Sequence, residues 1–241
     1  MKYTAFDIEV ATEIPEDCED WDSLGPLGIT CGATLDSDGG LKTWFGKCRD
    51  DGRKSSPYAP KMSKGECALL TRYLQKRMND GYVPLTVNGL GFDFKQLAME
   101  SGEYDLCKEL ALAHIDIFFA MFCEKGYGVG LQAMADGMGI PGKPEGMDGS
   151  QAPRLWKDGE YERVLDYVAQ DVRVTAEVYE AVTRAGKLEW ISKKGRRNWW
   201  ECGSEILTVR QALTLPLPDT TWMDQPWPRE KFYGWTREAP G

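Results

Sequence analysis

A chain of 241 residues, 42% hydrophobic and 11% aromatic, has the length and apolar content to bury a substantial core, which excludes a disordered chain and predicts one large domain, alone or with an appendage. No apolar run approaches the roughly 20 residues of a membrane helix, the first residues lack a basic start and a small-residue cleavage site, and the seven cysteines include no CxxC pair; a cytoplasmic protein with reduced thiols is expected, without a disulfide framework or thiolate zinc site. A net charge of −9 and a pI of about 4.8 argue against a broad phosphate-neutralising surface, so any nucleic acid would be gripped by a local basic patch, with bound divalent cations offsetting acidity at a site.

Residues 3–10 (YTAFDIEV) and 28–35 (GITCGATL) alternate and are β-rich, and LKTWFG at 41–46 follows SDGG, which predicts a meander of three strands. The acidic stretch 11–27, with Pro15, Gly25 and Pro26, reads as a loop beside the first strand's end, and 47–64 as a second polar loop. Apolar residues at helical spacing from Gly65 to Asn79 predict a helix, and YVPLTV at 82–87 a buried strand, hence a crossover. Residues 94–113 read as one or two helices broken near Gly102, followed by a short strand around Ile115 and helical residues to about Phe122. A short helix at 131–138 precedes an irregular loop over 139–153 (GIPGKPEGMDGSQAP). The strongest periodicity runs from Glu160 to Val182, with Gly186 as the stop. Beyond it, LEWIS and RNWWE flank KKGR as a hairpin, and Pro- and Trp-rich segments follow. Residues 1–186 are thus expected to form one α/β domain, a mixed five-stranded sheet flanked by helices in an order that resembles the ribonuclease-H-like fold, with 187–241 an extension packed on the same domain.

Within this order, acids fall at particular places. Asp7 and Glu9 lie two apart in an apolar strand, so alternation puts both on one face, where they repel each other. A divalent cation would relieve that cost; the competing reading has both side chains in water. Asp93 ends NGLGFD at a strand-to-helix turn, where ligands of open α/β sheets gather, although an acid there could also cap the helix. Tyr167 and Asp171 are one turn apart on one helical face, an arrangement that an ordinary amphipathic helix with a solvent-facing Asp would also show.

Taken in order, FDIE, NGLGFD and YVAQD resemble the FDIE, NxxxFD and YxxxD motifs of the DEDD exonucleases in their YxxxD branch, which includes the proofreading domains of family B DNA polymerases and related stand-alone bacterial and phage proteins. The similarity runs from about Lys2 to Val182 and takes in DVRVT after the last motif. In the sibling branch a histidine stands where this chain has Asp166; the sole histidine, His114, reads as structural. The resemblance implies a metal-dependent 3′-5′ exonuclease that releases nucleoside 5′-monophosphates from single-stranded DNA 3′ ends. Two Mg²⁺ or Mn²⁺ ions would be used, one on Asp7, Glu9 and Asp171, the other bridged by Asp7 and positioned with Asp93. Tyr167, with a reference pKa near 10, would orient the attacking water and not deprotonate it. Thr12, Asn88, Phe92 and Lys143 are the expected substrate-binding residues, Thr12 standing in because Val10 occupies a position where the family often has a hydroxyl-bearing or small residue. With no polymerase region in the chain, free-standing activity is expected.

The tail adds Lys187, Lys193, Lys194, Arg196 and Arg197 interleaved with Trp190, Trp199 and Trp200, a mixture that suits single-stranded nucleic acid, or else a solvated turn with core-facing tryptophans. Three rivals remain. A 3′ exoribonuclease would differ only in its 2′-hydroxyl contacts. A catalytically silent nucleic-acid-binding or scaffold module would keep the fold alone. A regulatory subunit would anchor replication or repair proteins through the tail.

Overall fold

The computed structural model describes residues 1–15, 18, 24–48, 57–142, 149–192 and 194–237. Its first strand, β1 (Tyr3–Val10), pairs antiparallel with β2 (Ile29–Asp36), which pairs antiparallel with β3 (Leu41–Phe45). On its other side β1 runs parallel to β4 (Val83–Thr86), and β4 parallel to β5 (Ile115–Asp116). The five-stranded sheet therefore has the order β3-β2-β1-β4-β5, mixed in sense and with β1 at its centre.

Alternation along β1 divides the core into two. Phe6 and Ile8 point to one side, where they meet α1 (Lys64–Asn79), α2 (Asp93–Ser101), α3 (Tyr104–Ala113) and α4 (Ile117–Lys125) through residues such as Leu70, Leu97, Leu110 and Phe119. Tyr3 and Ala5 point to the other side, into a cluster with α5 (Leu131–Met138) and α7 (Tyr161–Ala185). Full burial of one such aliphatic or aromatic side chain is worth about 1.5–3 kcal/mol, so this central strand is clamped from both faces.

Local signals set the helix ends. Ser63 and Glu66 form a capping box that starts α1, and Gly102 in a left-handed conformation separates α2 from α3. The 25-residue α7 stops at Gly186, again left-handed. One expectation is corrected: the loop predicted over 139–153 ends early, because Ala152 and Pro153 open a further helix, α6 (Ala152–Lys157). Proline is tolerated in a first turn, where its N–H is not needed, and Leu155 and Trp156 bury the helix against the core. Residues 143–148 of that loop, Lys143 included, lie outside the described residues.

The chain after α7 returns to both clusters. β6 (Lys187–Ile191) and β7 (Arg197–Glu201) pair antiparallel as a separate hairpin whose Leu188, Trp190 and Trp200 join the α5–α7 side. Gly137 on α5 permits this approach, since a Cβ there would lie 2.1 Å from the carbonyl oxygen of Glu189. After α8 (Val209–Ala212), Phe232 in α9 (Glu230–Tyr233) and Trp235 beyond it pack into the opposite cluster, and the Trp235 indole donates to the Leu90 carbonyl at 2.8 Å. No helix among the described residues is long and apolar enough to cross a membrane.

Candidate active site

The face of β1 that carries Tyr3 and Ala5 continues into Asp7 and Glu9, and α7 lies across it. Asp7 is half-buried and Glu9 buried; a register irregularity between Glu9 and Val10 marks where pairing with β2 becomes uneven. Such irregularities re-aim side chains beside sites. From α7, Asp171 comes down onto the pair: one carboxylate oxygen from each of Asp7, Glu9 and Asp171 lies within 4.8 Å of the others. Glu9 and Asp171 are buried, so neither is the solvent-facing acid of the bland alternative. Like charges this close are unfavourable unless a cation or proton intervenes. Three hard oxygen donors within one coordination sphere's reach fit a divalent ion such as Mg²⁺ or Mn²⁺.

Asp93 joins them by another route. It is the first residue of α2, and its Oδ1 accepts a hydrogen bond from the backbone N–H of Ile8 at 3.0 Å, between the two acids of β1. The carboxylate therefore ties α2 to the sheet while also meeting its own backbone N–H at the start of the helix. Burial pushes the Asp93 carboxyl up to about 7; the Ile8 N–H pulls the other way, and the nearby charges of Asp116 and Asp171 push it further up.

The turn before Asp93 is built to tight tolerances. Asn88 has φ 70°, a left-handed conformation uncommon outside glycine, and Gly89 sits where a Cβ would be 2.4 Å from the Thr86 hydroxyl. Beneath this turn is Asp116, a buried carboxylate that sequence reasoning missed. It accepts from the N–H groups of Asn88 (2.8 Å), Leu90 (3.0 Å) and Phe119 (3.1 Å), so one side chain fixes the turn and caps α4. The sequence hints at it only through an acid that ends a short apolar strand. His114, also buried, has Nε2 3.0 Å from the Thr86 hydroxyl and Nδ1 2.5 Å from the Ala111 carbonyl, consistent with the structural part read for it.

Asp7, Glu9, Asp93 and Asp171 line a cleft of about 430 Å³. Tyr167 enters it from α7 one turn before Asp171, and Thr12, Asn88 and Phe92 lie along its walls. Ile14, Gly149, Ser150 and Pro153 also line it and were not anticipated. Gly149 comes close over the acids: a Cβ on it would be 3.8 Å from the Tyr167 hydroxyl and 4.0 Å from Glu9 Oε2. The Gly-Ser pair just ahead of a helix was the available signal. Behind the site the Cys31 thiol is pushed well up by burial, with Glu9 and Asp7 adding to the effect, so it stays protonated. The hairpin tryptophans divide: Trp190 and Trp200 are buried and Trp199 is exposed.

A family model described as the RNase_H superfamily matches residues 32–183. The chain belongs to the RNase H superfamily. Asp93, Tyr167 and Asp171 fall inside the matched stretch, and Asp7 and Glu9 precede it on the central strand. The α/β class and mixed five-stranded sheet expected from the element order are those of this RNase H-like chain. Among solved structures it is similar to the family B DNA polymerase from the hyperthermophilic archaeon Pyrobaculum calidifontis, with a TM-score of 0.51 and 19% identity over 75% of this chain. The likeness spans 24% of that polymerase and concerns the fold. No curated protein matches the sequence.

Proposed function

We propose that this RNase H superfamily member is a metal-dependent 3′-5′ exonuclease of the YxxxD type, acting on single-stranded DNA ends. The observation that carries the reading is the convergence of Asp7, Glu9 and Asp171 within 4.8 Å, with Asp93 bonded to the strand between the first two. Membership of a nuclease superfamily and the order FDIE, NGLGFD, YVAQD support it. Residues 1–186 would be the catalytic domain and 187–241 an extension packed on it.

Asp7, Glu9 and Asp171 would hold one divalent cation, and Asp7 with Asp93 would help hold a second. Mg²⁺ or Mn²⁺, when bound, neutralises charge at phosphorus and makes water a competent nucleophile at neutral pH. Tyr167 orients the attacking water by a hydrogen bond from its hydroxyl. The water oxygen bonds to phosphorus as the P–O3′ bond breaks, leaving a nucleoside 5′-monophosphate and a strand one residue shorter with a free 3′-hydroxyl. Phe92 offers a ring to the terminal base and Asn88 an amide to the sugar or phosphate. The Thr12 hydroxyl donates to the Leu27 carbonyl at 2.8 Å, which leaves its lone pairs for a sugar hydroxyl.

The test is product analysis with 5′-labelled single-stranded DNA and RNA of equal sequence, in Mg²⁺, Mn²⁺ or chelator. The expected outcome is a one-nucleotide ladder on DNA that requires metal and yields 5′-monophosphates. Faster cutting of RNA would move the reading to an exoribonuclease, and no cleavage of either strand would overturn it.

A further inference from the structure

The outward face of the β6–β7 hairpin carries the charge sign that the chain as a whole lacks. Alternation turns Leu188, Trp190 and Trp200 inward and leaves Lys187, Ile191, Arg197, Trp199 and Glu201 exposed. Glu189, directly across from Trp199 in the pairing, is held by Lys187 at 2.5 Å and Arg197 at 2.8 Å, and with the exposed Glu201 across from Lys187 the charges on the two strands balance, so the positive excess lies at the turn. At the turn, Lys194 and Arg196 are exposed and enter no ion pair among the described residues. Trp199 itself is 60% exposed beside the half-exposed Ile191. An indole left in water on a strand, beside Arg197 and a turn that carries Lys194 and Arg196 on a chain of net charge −9, has no packing rationale, since the hairpin is already anchored by its other face.

Each candidate occupant makes a different demand on this surface. A second copy of the chain would set two basic faces against each other. An acidic peptide would satisfy the cations but leave the indole without a planar partner. Duplex DNA hides its base faces in the stack. Single-stranded DNA answers both features, because its phosphates meet the cations and its unstacked bases offer a π-face.

We propose that this hairpin face is a docking track for single-stranded DNA outside the cleft, with Trp199 stacking on a base and Lys194, Arg196 and Arg197 meeting phosphates. The choice of occupant rests on the exonuclease reading. The exposed face, its register and its charge do not.

The test measures binding of the full chain, in chelator so that no strand is cut, to fluorescein-labelled oligo-dT of 4 and 15 nucleotides by anisotropy. Trp199→Ala is expected to weaken the 15-mer about tenfold, with Trp199→Phe recovering most of the loss, since stacking survives on a phenyl ring. Lys194→Ala combined with Arg196→Ala should flatten the salt dependence of log K by about one. In both cases the affinity gained between 4 and 15 nucleotides should shrink, with circular dichroism and Tm unchanged. Failure of the wild type to bind the 15-mer overturns the proposal, as does equal 15-mer affinity in the variants. It is likewise overturned if Trp199→Ala dissolves a dimer while strand affinity stays the same. If the wild type cuts no strand in Mg²⁺ yet the hairpin variants lose 15-mer binding, the exonuclease reading fails and the docking track stands.

Discussion

Tyr3 and Ala5 share a face of β1 with Asp7 and Glu9, yet the first two are sealed beneath α7 while the acids open into a cleft. Along the sealed half the Tyr3 ring meets Tyr179 edge-on at 5.2 Å and its hydroxyl donates to Glu180 at 2.5 Å. A further stretch back along the same helix, Asp171 faces the acids. One strand and one helix therefore build a hydrophobic joint at one end and a charged site at the other, and the rigidity of the joint places the carboxylates. The cost of gathering acids is met by apolar contacts a few residues away.

Exchanging the characters of the two halves gives the largest effects. Asp7→Ala should leave the joint intact and Tm nearly unchanged while metal-dependent hydrolysis, measured on labelled strands, drops by about 10³-fold or more. Ala5→Asp should do the reverse, because a carboxylate would enter a dry contact; a loss of about 3–5 kcal/mol in urea unfolding is expected. Full stability in Ala5→Asp would show that the joint is not sealed.

Smaller effects sharpen the charged half. Tyr167→Phe keeps the ring and removes the hydroxyl, so turnover should fall about 10- to 100-fold while KM stays within a few-fold. Asp93 carries a pH signature. Its folded value of about 7 lies above the unfolded value near 3.9, so the folded chain holds this proton more tightly. The stability it contributes is complete below pH 4 and is lost as pH rises toward and through 7. Asp93→Asn keeps an acceptor for the Ile8 N–H and removes the charge. In chelator at pH 8 it should be more stable than wild type by about 1–2 kcal/mol, with the gain shrinking toward pH 5. An equal or lower Tm at pH 8 would contradict the buried, strained state of this acid.

What could be read in advance follows the range of each interaction. Asp7 with Glu9, and Tyr167 with Asp171, are local pairs fixed by strand and helix periodicity, and their faces were legible from spacing alone. Asp116 was not, because its donors Asn88 and Leu90 lie 28 and 26 residues away and nothing local marks a carboxylate that receives them. Helix α6 was hidden by the glycines and prolines around it, although Leu155 and Trp156 supply its buried face. For the hairpin, the sequence left Trp190, Trp199 and Trp200 together between stacking and core packing, because which face is inward depends on the approach to Gly137, far away in sequence.

The central claim, that the acids meeting at β1 and α7 hold the metal on which hydrolysis depends, is tested most directly by calorimetric Mn²⁺ titration and strand hydrolysis on two variants of α7. Asp166 is exposed on that helix, whereas Asp171 is buried against Asp7 and Glu9. Asp171→Asn should lose at least about tenfold in Mn²⁺ affinity together with nearly all hydrolysis, and Asp166→Asn should match wild type in both. Equal Mn²⁺ binding by Asp171→Asn, or equal losses in the two variants, would contradict it.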